Sequence, residues 1–261
     1  IGRRLQGYKF RVALNPFGIL YNPVSMAEAL ERLRSGTPYE PGDLFFHQEL
    51  WHSFDHHGRF SFPDREQALQ AINEALAQGA AMLQQTDRVL LTFGTAGVFV
   101  VRDRGRIAAN CHKLPGQAFE RRRLSVAEIA DRLSPVFEQL KAQSPGLHIV
   151  LSVSPVRHLR EGFVENQRSK AALLLAVEEL CRRHDFAHYF PAYELLLDDL
   201  RDYRFYDADM AHPAPAAIDY IWEQFAATYF PEETRQIIAA IQKIQRAAAH
   251  RPFHPGSAKP G

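Results

Sequence analysis

Apolar residues along the chain fall into two kinds of pattern, short unbroken runs and stripes with helical spacing, and the two alternate. The opening "IGRRLQGYKF" reads as the interior of a helix, and "KFRVAL" (9–14) predicts a strand that stops at Asn15-Pro16. In "SMAEALERLRSG" (25–36), Ser25 and Glu28 have the spacing of a capping box. Met26, Leu30 and Leu33 share one face, and Gly36 supplies the stop. Residues 65–85 predict a second helix through Leu69, Ile72, Leu76 and Leu83. "RVLLTFG" (88–94) is a buried-strand run. "FVVRDRGRIAANC" (99–111) predicts a hairpin turning at Asp103–Gly105.

A second capping box, Ser125 with Glu128, opens a helix through Val126, Ile129, Leu133, Phe137 and Leu140, which Pro135 is expected to kink. "LHIVLSVSP" (147–155) is the clearest strand. Residues 166–184 form a helix with Leu173, Val177, Leu180 and Cys181 facing inward. "AHYFPAYELL" (187–196) predicts a last strand. Helices over 215–229 and 231–249 follow, and "RPFHPGSAKPG" (251–261) is expected as a disordered tail. Strands that are apolar along their whole length, separated by helices, predict an α/β domain with a mostly parallel sheet covered on both faces.

Charge adds little to this picture. With 31 basic and 30 acidic residues the chain carries a formal +1, which gives no reason to expect nucleic acid or an anionic membrane as partner. The one dense basic run, Arg121-Arg122-Arg123, reads as a solvated loop before a helix rather than a phosphate clamp. No apolar run reaches the ~18 residues a membrane span needs. Two cysteines, Cys111 and Cys181, make no disulfide framework. That scarcity suits a reducing compartment such as a bacterial cytoplasm, although a chain that does not open on Met leaves targeting signals open. No cofactor motif is present.

Candidate chemistry gathers after the strands, where α/β sheets place their sites. Asn15, Gly18 and Asn22 follow the first run; Gly94 follows the second in "GTAG"; Ser154 and His158 follow the third in "SPVRH". After the last come Asp209 and His212, an Asp-x-x-His pair just ahead of a helix. A carboxylate on one imidazole nitrogen fixes the tautomer and leaves the other nitrogen free to accept a nucleophile's proton. Pro213 keeps His212 out of the helical region, and Pro215 suits the first turn of the helix that follows. The plainer alternative is a capping Asp209 beside a surface His212.

Ser154 as a nucleophile is disfavoured because Pro155 removes the neighbouring amide, which leaves it a structural role. Cys111 and His112 are adjacent, so in an extended segment they face opposite sides. "HQELWHSFDHHGRFS" (47–61) holds four histidines with Trp51 and Asp55, at a spacing that matches no metal motif.

The blocks "NPFGILYNPVS", "LTFGTA", "NCHKLP", "SVSPVRHLREGFVENQRSKAAL", "YFPAYELLLDDLRDYRFY" and "DMAHP" together resemble the GSCFA family, whose fold and motif order are those of the SGNH (GDSL-like) hydrolases. The resemblance spans residues 1 to about 230. It implies a single hydrolase domain over 1–249, a three-layer α/β/α sandwich related to flavodoxin-like folds, and acyl-ester hydrolysis of a small molecule or a carbohydrate, with no metal or cofactor. It also implies a serine nucleophile in an N-terminal Gly-Ser-Cys-Phe-Ala motif. This sequence contains no such motif, so the first strand is expected to be truncated and the chain to lack its nucleophile.

Asp209 and His212 match the family's Asp-x-x-His. Gly18 and Gly94 match positions whose amides hold the oxyanion, while Ala96 stands where a Gly-x-Asn motif has its Asn. Asn110 is the candidate to replace that donor. The 47–61 segment becomes an insertion over the site, where Trp51 would stack on a sugar and Ser53 or His56 would bind a hydroxyl. The alternative function is a non-catalytic ligand-binding module that keeps the cleft.

Overall fold

The computed structural model describes residues 1–249; the proposed tail lies outside them. Two compact units are present: Ile1–Leu14 with the chain from Ile218 onward, and Asn15–Ala217.

The larger unit is built on a parallel sheet of β3 (Arg88–Phe93), β7 (His148–Val153) and β8 (Ala187–Tyr189), with β7 in the middle. Register runs from Arg88 opposite His148 to Phe93 opposite Val153, so the first two strands end together. Helix α4 (Val126–Gln143) leads into β7, and α5 (Gly162–Arg183) joins β7 to β8. The β7 run Ile149–Val153 is buried throughout, as its nearly continuous apolar sequence requires, with Ser152 its one polar side chain. Ile149, Leu151 and Val153 pack with Phe93, with Ile129, Leu133 and Phe137 of α4, and with Leu173, Val177 and Leu180 of α5. Helix α2 (Pro23–Ser35) joins the same core through Met26, Ala27 and Leu30. The architecture is α/β, in keeping with a three-layer α/β/α sandwich. No described helix is long and apolar enough to cross a membrane.

Between β3 and α4 the chain makes an antiparallel excursion. Strand β4 (Gly97–Val101) pairs with β5 (Arg106–Ala108) across the predicted turn and with β6 (Phe119–Arg123) on its other side. The arginine run is therefore a strand and not a loop, and its charges pair with Glu161, Glu128 and Glu165. The insertion likewise folds into a hairpin, β1 (Leu44–His47) with β2 (Leu50–Ser53). It packs on Phe17, Tyr39 and Phe60 and on Ala68, Ile72 and Leu76 of α3 (Arg65–Leu83).

Three local expectations fail for identifiable reasons. Residues 9–14 alternate between exposed and half-buried as a strand would, but among the described residues they pair with no strand, and β3 forms one edge of the sheet with Leu90 and Thr92 exposed. Helix α2 begins three residues early: Asn22 caps it by accepting from the Ser25 N–H at 2.8 Å, and Pro23 takes the first helical position, so Ser25 and Glu28 form no capping box. Strand β8 lasts three residues. Beyond Pro191 the chain turns into α6 (Ala192–Glu194) and a π-helical turn, Leu195–Leu200. Pro135 sits inside α4 without ending it.

The smaller unit contains α1 (Gly2–Gly7), the greater part of α7 (Pro215–Tyr229) and α8 (Glu232–Ala249). Tyr8 packs on Trp222 with ring centroids 5.4 Å apart, Phe10 stacks on Phe230, Arg4 pairs with Asp219, and the Gln242 amide donates to the Tyr8 hydroxyl.

Two stability effects are expected. Ser125→Ala breaks a capping box in which the Ser125 hydroxyl and the Glu128 carboxylate accept each other's backbone N–H, and should cost about 1 kcal/mol in chemical denaturation. Leu151→Ala empties a fully buried position in the central strand and should cost about 2–5 kcal/mol by the same measurement.

Candidate functional site

The Asp-x-x-His segment is a closed loop. Tyr206 bridges to Pro213, the Asp207 N–H donates to the His212 carbonyl at 2.8 Å, and the Ala214 N–H donates to the Phe205 carbonyl at 2.8 Å. Inside it Met210 takes a left-handed conformation, φ +56°, which turns the chain back on Asp209. One oxygen of Asp209 accepts the backbone N–H groups of Ala211 and His212, both at 2.9 Å. The other lies 2.5 Å from Nδ1 of the His212 ring. These three donors, the backbone N–H groups first, hold the Asp209 carboxyl down at about 2, so it is ionised at any working pH. The carboxylate thus both caps the loop and braces the imidazole. The pair is open: the two side chains are 61% and 52% exposed, and among the described residues no hydroxyl or thiol hydrogen-bonds the outer nitrogen of His212.

The loop after β7 carries this segment. Arg157 donates its backbone N–H to the Ala211 carbonyl at 3.0 Å and its guanidinium to the Met210 carbonyl at 3.2 Å, while lying 3.9 Å from the Tyr206 ring centre. Next to it, the His158 N–H donates to Asn166 of α5 at 2.8 Å, and the His158 ring meets the Tyr21 ring edge-on. A Cβ on Gly94 would stand 3.1 Å from Nε2 of His158 and 3.3 Å from Tyr21, which is why glycine occupies this strand end. Burial, then the charges of Lys170 and His212, press His158 down to about 4, so its ring is neutral at pH 7.

The other sequence candidates divide. The Gly94 N–H donates to the Tyr21 carbonyl at 2.8 Å and the Gly18 N–H to the Asn15 carbonyl at 2.8 Å, so neither amide is free to hold an oxyanion. Gly18, at φ +89°, packs against His57 and has a conformational and steric role. Asn22 is a helix cap that also hydrogen-bonds the Ser25 hydroxyl. The Ser154 hydroxyl accepts from the Val156 N–H within its own turn. Asn110 accepts from the His112 N–H at 3.0 Å and is anchored to the Phe54 carbonyl.

The insertion residues do not reach the site. Trp51 packs on Phe46 and Arg65 and takes no part in the Asp209–His212 loop. His56 is a core histidine, 1% exposed, set among Phe17, Tyr39 and Phe60 and bonded through Nδ1 to the Ser53 hydroxyl at 2.9 Å. Burial holds it neutral, at about 3. Neither His56 nor Ser53, 2% exposed, can meet a substrate hydroxyl in this arrangement. Among the described residues no group of three His, Cys, Asp or Glu is placed to hold a metal ion.

Tyr21, Arg157, Asn166, Ser169 and Lys170 escaped the sequence reading. The signal for the last three was present: the inward stripe Leu173, Val177, Leu180, carried back by helical spacing, falls on Ser169, Lys170 and Asn166. Polar residues on a buried stripe must be bonded to something.

No curated protein and no solved structure is significantly similar to the chain. The GSCFA family matches residues 1–225, which takes in Gly94, His158 and the Asp209–His212 loop, and the chain belongs to that family.

Proposed function

We propose that the protein is an acyl-ester hydrolase of the SGNH type, with His212 as general base and then general acid and Asp209 as its orienter. The observation that carries this reading is the three-donor contact of Asp209, which fixes the ring's Nδ1 as the donor and leaves Nε2 as the acceptor facing outward. In this mechanism Nε2 takes the proton of an attacking serine hydroxyl, the acyl group passes to that oxygen, and the proton returns to the departing alcohol. The serine this reading calls for is that of a Gly-Ser-Cys-Phe-Ala motif, for which this sequence has no counterpart.

With the Gly18 and Gly94 amides already bonded and alanine at position 96, the side chain best set to donate to an oxyanion is His158. Its neutral imidazole stands over Gly94 close to His212. The open rim suits a small or carbohydrate ester more than a long acyl chain sealed from water.

A second reading is a ligand-binding module that retains the cleft without turnover. It is favoured by Ala96 and by the absence, among the described residues, of a hydroxyl on His212. Hydrolysis of p-nitrophenyl acetate by a chain that carries the Gly-Ser-Cys-Phe-Ala motif separates the two. His212→Ala is expected to lower turnover by about 10⁴-fold or more; unchanged turnover removes His212 from the mechanism. Asp209→Asn keeps the base but loses its orienter and should cost less than His212→Ala. An equal or larger loss in a folded variant would assign Asp209 more than orientation.

A further inference from the structure

Lys170 lies in the middle of α5 and is 1% exposed. Its ammonium donates to two main-chain carbonyls, Gly94 and Ser154, each at 2.6 Å. These are the first residues beyond β3 and β7, where the parallel ladder has stopped and the two carbonyls no longer have strand partners. One turn of the same helix supplies the rest of a clamp: the Ser169 hydroxyl accepts from the Ala96 N–H at 2.7 Å and meets the Thr95 hydroxyl at 3.1 Å, and Asn166 holds the His158 N–H. The main chain at His158 and at Ser154 ahead of it, and the facing segment Gly94–Ala96, are therefore tied to α5.

We propose that Lys170 is the positioning residue of the candidate site, a buried cation that holds the ends of β3 and β7 together and fixes the seat of His158 over Gly94. The assignment deepens the acyl-hydrolase reading and rests on it for its catalytic meaning; the geometry stands without it. Among the described residues no carboxylate pairs with Lys170. The groups that face it are the two carbonyls, His158 from the loop after β7, and the Tyr193 ring of α6 at 5.9 Å. Desolvation alone brings the amine down to about 7. Its neutral form still has two N–H donors for two carbonyls, so deprotonation removes the charge beside His158 without breaking the clamp.

The test follows the lysine ε-carbons and the histidine rings by NMR across pH in the wild-type chain, Lys170→Met and Lys170→Arg. One lysine should titrate near 7 in the wild type, apart from the others, and that signal should vanish in Lys170→Met. The His158 titration should shift upward when Met removes the neighbouring charge, and less so with Arg, which keeps it. A Lys170 that titrates with the other lysines overturns the proposal, as does a folded Lys170→Met with His158 unmoved. If the Met variant does not fold, the wild-type lysine titration and the Arg variant decide. With the Lys170 and His158 shifts in place, absent p-nitrophenyl acetate turnover by a chain that carries the Gly-Ser-Cys-Phe-Ala motif would sink the hydrolase reading alone.

Discussion

Phe93 and Val153 lie side by side where β3 and β7 end, so two chains leave the sheet together at one point. Parallel strands that stop in register create a fixed difficulty there, because polar main-chain groups emerge next to a packed core with no ladder to receive them. In this protein the difficulty is met from two sides. The Tyr21 carbonyl accepts the N–H groups of Gly94 and Thr95, and α5 supplies donors and acceptors from its buried stripe. The loop after β7, so anchored, carries Arg157 to the Asp209–His212 loop and His158 to Gly94. The geometry of the candidate site therefore depends on the sheet's register more than on any one catalytic side chain.

Much of this was legible in the chain because burial and propensity agree. β7 is apolar but for Ser152 and packs into one core with α4 and α5; Ser125 and Glu128 cap as their spacing requires; the Asp-x-x-His pair closes on itself within four residues. Local interactions of that kind need no partner from elsewhere. The misreadings arise where a distant partner decides the outcome. Arg121–Arg123 become a strand because β4 offers an edge and three glutamates offer counter-charges, none of them readable from the run itself. Residues 9–14 have a strand's alternation but no strand to pair with. Gly18 and Gly94 were identified as glycines that matter, and they do matter, but through close packing rather than through free amides.

The insertion shows how histidines can be numerous without being chemical. His56 and His112 are both pressed well below the ordinary histidine range, chiefly by burial, to about 3 and about 4. His112 is bonded to the Ser53 carbonyl and His56 to the Ser53 hydroxyl, so one residue of β2 organises both rings. Asp55, half-buried with its carboxyl raised by desolvation, is balanced by Arg106 of β5. The hairpin is thus fastened to the body through neutral rings and one compensated charge, a construction that favours rigidity over proton exchange.

The bare flank of β3 carries a further consequence. Among the described residues its outward row of amide and carbonyl groups is unmatched by any strand, Leu90 and Thr92 stand in the open beside it, and Arg88 at its start is the strand's only charge. Such a flank is a ready template for another extended chain, and one cation is thin protection against it. Recognition there would run through main-chain bonds and ask little of side chains, unlike the loops beyond Phe93 and Val153, where α5 supplies named partners.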